Sequence, residues 1–240
     1  MHRTGSSLWR HIADSVAEEI RDRVFTPGDR LPTETELAQR FGVNRHTVRR
    51  AIASLQDFGL VRIEQGRGTF VQEDIVDYPL SSRTRFSEII ERQARTPSGT
   101  FLRSATIPAD PTVSEALDVA LGAPVALIET IGKADSQPIS LVGHHFSLER
   151  FPDVFAAYQT DGKITPMLRR LGVDDYFRKS TTITARLPNS YEMRHLRVAR
   201  MTPILCLEAI NVDAEGLPIE YGLTRFSSSR VQIRIDTLPA

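Results

Sequence analysis

Apolar residues recur at two periods along this chain, every three to four positions in the first third and every second position through much of the remainder. Residues 8–25 place Leu8, Ile12, Val16, Ile20 and Val24 on one face with Ala13 and Ala17 beside them, the stripe of an amphipathic helix. Pro27-Gly28-Asp29 breaks it. Thr33 with Glu36 three residues on has the form of a capping box, and Leu37, Ala38 and Phe41 follow at helical spacing. Gly42 ends that helix and Val43 is placed to plug between it and the next, which Asn44 caps. Val48, Ile52 and Leu55 form the next buried seam, stopped by Gly59. Residues 60–64 and 69–71 alternate as short strands around the hairpin tip Gln65-Gly66-Arg67-Gly68.

The composition changes after Val71. Residues 72–80 (QEDIVDYPL) are acidic and end near a proline, which reads as a linker with a strand-like piece and no continuing core. The chain divides into residues 1–73, a linker at 74–83 and a second domain at 84–240. In the second domain the pattern predicts strands at 100–107, 125–134, 139–147, 178–187, 204–213, 218–227 and 231–236, and short helices at 87–93, 112–120, 152–158, 164–171 and 190–196. Two hairpins share the form strand, Asp, small polar, Pro-Ile, strand, which hints at an internal pseudo-repeat. The fold class expected is α+β, with a helical N-terminal unit and a mainly antiparallel second domain.

Charge sharpens the first unit. The whole chain is formally neutral, with 30 basic and 30 acidic residues. Between Gln39 and Phe70, however, six arginines (40, 45, 49, 50, 62 and 67) face only Asp57 and Glu64, a local net of +4. Arg45, His46, Thr47, Arg49 and Arg50 cluster in the first turn and a half of the second helix, the end that a helix-turn-helix inserts into a major groove. A glycine tip carrying Arg67 can lie close to a phosphate backbone or in a minor groove. The lone Cys206 sits in an apolar run and reads as a small buried hydrophobe. None of the six histidines has a metal-ligand spacing, and no cofactor or metal is expected. No apolar run approaches the ~20 residues of a membrane span and no signal-peptide core is present, so a cytoplasmic protein with no membrane partner is expected.

The run PGDRLPTETELAQRFGVNRHTVRRAI followed by GLVRIEQGRGTFV resembles the winged helix-turn-helix of GntR-family transcription regulators. That resemblance implies operator contacts from Asn44, Arg45, Thr47 and Arg49, and from the wing residues Gln65, Gly66, Arg67, Gly68 and Thr69. Thr33, Thr35, His46 and Arg50 complete the expected DNA-binding set, although many members carry a long polar residue at the position of Thr35.

The segments PVALIETIGKADSQPISLVGHHF and PILCLEAINVDAEGLPIEYGLTRFSSSRVQI resemble the UTRA effector domain of the HutC branch, which has a chorismate-lyase-like fold. Within that branch, the stretches 82–87 and 220–226 look most like PhnF-type regulators of phosphonate or phosphate metabolism. Thr84, Arg85, Phe86 and Ser87 lie at an expected helix N-terminus, where free N–H groups favour an anion, and simple capping by Thr84 is the alternative. Strand alternation puts Glu220 with Gly222 and Thr224, and Tyr221 with Leu223 and Arg225. The resemblance favours Glu220 as the pocket-facing residue, with Tyr221 and Arg225 as further candidates. Only one of His144 and His145 can face in, and His144 is included in the effector set. Sugar-phosphate-sensing relatives place arginines at the positions of Thr130 and Gly132, so an anion here would rest on Arg85, the helix N-terminus and Lys133 or Arg225.

These readings lead to a homodimeric repressor that binds an inverted-repeat operator in double-stranded DNA and is modulated by a small anionic effector. Two alternatives stay open. The ligand could be an amine, fatty acid or urocanate-like compound, or the second domain could be a lyase-like enzyme, for which no nucleophile–base pair stands out.

Overall fold

The computed structural model describes residues 5–72, 75–83 and 85–235. The chain splits into two compact units, Met1–Asp74 and Ile75–Ala240.

In the first unit, α1 (Gly5–Arg21), α2 (Glu34–Phe41) and α3 (Arg45–Asp57) precede the hairpin of β1 (Val61–Glu64) and β2 (Gly68–Val71). Ile12 and Val16 of α1, Leu37 of α2, and Val48, Ile52 and Leu55 of α3 meet Leu31, Val61 and Val71 in one core. Each boundary has a local cause. Thr33 and Glu36 form the reciprocal capping box. Gly42 closes α2 at φ 64°, a left-handed conformation that costs glycine nothing. Asn44 accepts from the Thr47 N–H at 2.8 Å. The first helix ends four residues before the predicted limit. Arg23 takes a left-handed φ of 62°, with its N–H bonded to Ile20 and that of Val24 to Glu19, a Schellman closure. Val24 therefore lies past the helix and is 65% exposed, not on the buried face. The lead-in at Asp29 and Leu31 pairs with β2 through Leu31 N–H to Thr69 O and Val71 N–H to Asp29 O, which fastens the wing to the segment before α2.

The second unit begins with β3 (Val76–Pro79) and α4 (Phe86–Arg92). Next come β4 (Pro97–Pro108), α5 (Pro111–Leu117), β5 (Pro124–Ala134), β6 (Gln137–Ser147), α6 (Val154–Asp161) and α7 (Ile164–Arg170). The chain continues through β7 (Phe177–Arg186), α8 (Ser190–Leu196), β8 (Ile204–Val212), β9 (Pro218–Ser227) and β10 (Val231–Arg234). Six strands form an antiparallel sheet in the order β4-β5-β6-β9-β8-β7. The sequence hint of repetition extends beyond the hairpins: strand-helix-strand-strand occurs twice, as β4-α5-β5-β6 and β7-α8-β8-β9, and the two halves meet where β6 pairs with β9. Asp110 and Asn189 cap the two equivalent helices, and both helices close on a left-handed residue, Asp118 and Arg197.

Three expectations change here. The stretch expected to be a linker is partly core, since Val76 and Tyr78 are buried beside Ile90 and Phe226, and β3 pairs in parallel with β10. The strand predicted from residue 100 starts at Pro97; β4 is a sheet edge, where the missing proline N–H leaves no ladder bond unmade. The helix predicted to run to residue 120 stops at Leu117, closed by Asp118.

Candidate functional site

Two surfaces gather the residues singled out from the sequence. The first is the exposed start of α3 with the wing. Arg45, His46, Arg49 and Arg50 are exposed there, as are Gln65, Gly66 and Arg67 at the tip, with Gly68 and Thr69 half-buried. Several of these side chains already have partners. Thr33 is occupied as the cap of α2, bonded to Glu36, while the Asn44 side-chain Oδ1 accepts from both the N–H and the hydroxyl of Thr47. Arg50 lies with its guanidinium carbon 4.8 Å from the Trp9 ring centroid. Thr35 is exposed.

The local charge of +4 overstates the free field. Arg40 pairs with Glu19, and both Arg45 and Arg49 pair with Glu34, two acids that lie outside the counted stretch. Arg62 and Arg67 pair with Glu64. Sequence reasoning also passed over Arg30. It is exposed beside the wing, and its Nε lies 2.8 Å from where a Cβ on Gly68 would sit, so Gly68 lacks a side chain where the guanidinium crosses it. Its only sequence signal is a basic residue just before Leu31.

The second surface is a cavity of about 860 Å³ on one face of the large sheet. Alternate residues of the sheet make its floor: Thr130 and Gly132 from β5, Ser140, Val142 and His144 from β6, Ala209 and Asn211 from β8, and Glu220, Gly222, Thr224 and Phe226 from β9. Arg85, Phe86 and Ser87 line it at the start of α4, and Phe155, Tyr158, Lys163, Ile164 and Arg169 line it from α6 and α7.

Glu220 is buried in this floor. One carboxylate oxygen meets His144 Nδ1 at 2.5 Å and the other accepts from Asn211 Nδ2 at 2.7 Å. Burial by itself pushes this carboxyl up, but the hydrogen bond and charge of His144, the Asn211 amide and the nearby Arg178 outweigh it and hold Glu220 below its ordinary range. The ionised carboxylate fixes a proton on His144 Nδ1, and Nε2 is left 3.3 Å from the Thr130 hydroxyl. Glu220 therefore acts through His144 and Asn211, since both its oxygens are already engaged.

Arg85 is stacked with its guanidinium carbon 3.7 Å from the Tyr176 ring centroid and donates to the Tyr176 carbonyl at 3.1 Å. Two lining groups, Arg178 Nε and Ser140 Oγ, are buried with no hydrogen-bond partner among the described residues. An added Cβ at Gly132 would fall 2.4 Å from Ser140 Oγ and 2.8 Å from the Phe86 ring. The Phe86 ring thus fills the space that a side chain at that position would need. Arg178, Tyr78, Asn211, Lys163 and Arg169 were missed from sequence, because elements far apart in the chain bring them to the cavity.

Other candidates lie elsewhere. Thr84 falls outside the described residues. Tyr221 and Arg225 are on the opposite face of the sheet, a correction that follows from strand alternation: the Tyr221 hydroxyl donates to Glu208 at 2.9 Å, and Arg225 Nε donates to the Leu141 carbonyl at 3.2 Å. His145 faces away with them, its Nδ1 3.0 Å from the Tyr221 carbonyl, and Lys133 does not line the cavity. Among the described residues, no group of His, Cys, Asp and Glu could hold a metal ion, and no helix is long and apolar enough to cross a membrane.

A winged helix-turn-helix followed by a cavity-bearing antiparallel domain defines a DNA-binding transcription regulator. The family model for bacterial regulatory proteins of the gntR family matches residues 8–71, and that for the UTRA domain matches residues 92–232. The chain belongs to the GntR family, in its UTRA-bearing form.

It is 40% identical to an uncharacterized HTH-type transcriptional regulator of Rhizobium meliloti (strain 1021), over 97% of this chain and 96% of that one. It is 31% identical to the probable transcriptional regulator PhnF of Escherichia coli (strain K12), over 95% and 94% of the two chains. The crystal structure of PhnF from Mycobacterium smegmatis has the same fold, with a TM-score of 0.66 at 24% identity over 99% of this chain and 100% of that one. These relatives are named as regulators, and members of the family are DNA-binding regulators rather than enzymes.

Proposed function

We propose that this chain is a cytoplasmic homodimeric repressor that binds an inverted-repeat operator through α3 and the wing, and that its cavity takes a small organic anion of the phosphonate or phosphate-ester type. The side chain of Arg178, which lines the cavity and whose buried Nε has no hydrogen-bond partner among the described residues, carries the ligand reading. A guanidinium that sits near Glu220 and Tyr78 but keeps one N–H unsatisfied in a partly desolvated wall favours an oxyanion. Lys163 and Arg169 add positive charge, Arg85 a third guanidinium, and His144 and Ser140 further polar contacts. An aromatic wall, with the Phe101 and Tyr158 ring centroids 5.8 Å apart, gives room for an organic body that inorganic phosphate lacks. Repression is supported by a relative at 28% identity, named as the repressor of a mannosyl-D-glycerate transport and metabolism system. Dimerisation follows from specificity, since one helix-turn-helix reads too few base pairs and a two-fold pair matches an inverted repeat.

Thermal unfolding of the full chain with inorganic phosphate, 2-aminoethylphosphonate, a long-chain fatty acid or urocanate, each at millimolar concentration, tests the ligand class. The phosphonate is expected to raise the transition by several degrees, and phosphate by less, as binding to the folded state alone requires. A shift with urocanate or the fatty acid and none with the phosphonate would move the reading to a non-phosphorylated ligand.

A further inference from the structure

Glu34 has no part in the operator contacts described above, yet it is the acid on which the two arginines of the α3 face converge. Thr33 caps α2, which places Glu34 at the first helical position of α2, beside the opening turns of α3. Arg45 and Arg49 stand four residues apart and share one helix face. Arg49 Nε donates to one carboxylate oxygen of Glu34 at 3.1 Å and its Nη2 to the other at 2.8 Å, while Arg45 Nη2 lies 3.6 Å from the second oxygen.

The arrangement contributes little to stability. The Arg45 and Arg49 side chains are 62% and 60% exposed and Glu34 is 29% exposed, and ion pairs in such settings are screened by water. An acid in the first turn of α2 would favour the helix dipole whether or not it met an arginine. The geometry at Arg49 is more specific. A carboxylate bound side-on takes the Nε–H and one Nη2–H, and leaves the outward fork of Nη1 and Nη2 unoccupied. That fork matches the O6 and N7 acceptors of guanine in a major groove.

We infer that Glu34 is a positioning residue that sets the base preference of α3, by holding Arg49 with its outward fork presented and Arg45 alongside. The inference rests on α3 being the helix that reads base edges. Held this way, Arg49 loses less rotamer freedom when it meets a base. The carboxylate also repels a phosphate backbone that offers no compensating base contact, so Glu34 lowers non-specific affinity while it supports specific affinity. The hydrogen bond from Arg49 keeps the Glu34 carboxyl below its ordinary range, so the clamp is ionised when formed.

The test uses the full chain and the duplex it selects from a randomised pool, with a scrambled duplex of equal length as control. Affinities are read by fluorescence anisotropy for the native chain, Glu34→Gln, Arg49→Ala and the double variant. Glu34→Gln is expected to cut the selected-to-scrambled affinity ratio by about tenfold, the scale of one lost bidentate base contact, with scrambled affinity equal or higher. In the Arg49→Ala background the same substitution is expected to change the ratio far less, the remainder coming from Arg45 and from the lost repulsion of phosphate, because its main effect passes through Arg49. An equal loss in both backgrounds, or an unchanged ratio in the single variant, would overturn the inference. An Arg49→Ala chain that retains full selected affinity would overturn the reading of α3, and the inference with it.

Discussion

His144→Ala is expected to destabilise the second unit by about 3–5 kcal/mol at neutral pH, because it strands a buried carboxylate. The Glu220 side chain is 5% exposed, and His144 Nδ1 is the closest of its partners at 2.5 Å. With the imidazole gone, only the Asn211 amide and the nearby Arg178 offset the desolvation of Glu220. The sign of the pH dependence follows. In the native chain the folded-state pKa of Glu220 lies below its ordinary value. Its contribution is therefore present above an unfolded pKa of about 4.3 and is lost as pH falls through the lower folded value. In the variant, burial dominates and raises that pKa, so the carboxyl protonates earlier and the deficit against the native chain narrows towards acid pH. Urea unfolding at several pH values measures both terms. The double change His144→Ala with Glu220→Gln is expected to recover part of the loss, since it removes the stranded charge as well as its partner. A deficit independent of pH, or no recovery in the double variant, would show that His144 contributes by packing alone.

Arg49→Ala is expected to cost roughly 1–3 kcal/mol of binding to the selected duplex, as the loss of a bidentate base contact does, while scrambled duplex binds nearly as before. Arg49 is 60% exposed and pairs with Glu34 on the surface, so the fold should tolerate its removal. A loss of equal size on selected and scrambled duplexes would assign Arg49 to phosphate rather than base contact. In that case the dependence of affinity on salt should become less steep.

What could be read from the sequence followed the range of the forces involved. Thr33 with Glu36, Gly42 and Asn44 act within four residues, and α2 starts and stops, and α3 starts, where those residues place the boundaries. The end of α1 was not legible, because Arg23 takes a left-handed conformation that glycine or asparagine would have announced. Strand alternation separated Glu220 from Tyr221 and Arg225, and the structure puts them on opposite faces. It could not show that Val76 and Tyr78 are core, since their strand pairs with Val231 and Ile233 from the far end of the chain. The charge count missed Glu19 and Glu34 because folding, not sequence proximity, brings them to Arg40 and Arg49. The basic side of the cavity was hidden for the same reason. Arg178 arrives on the edge strand β7, while the arginine-free positions Thr130 and Gly132 are on β5, where Phe86 fills the space beside Gly132.

Occupation of the cavity is expected to change DNA affinity, and one titration measures this directly. The full chain is titrated onto its selected duplex with and without saturating 2-aminoethylphosphonate, alongside Gly222→Leu, which fills open floor where an added Cβ meets nothing closer than 3.8 Å. The ligand is expected to weaken duplex binding by about 5–150-fold, the usual span of a coupling between two sites, and Gly222→Leu to bind the duplex but no longer respond. The same dissociation constant with and without ligand in the native chain, or an equal response in Gly222→Leu, would contradict that expectation.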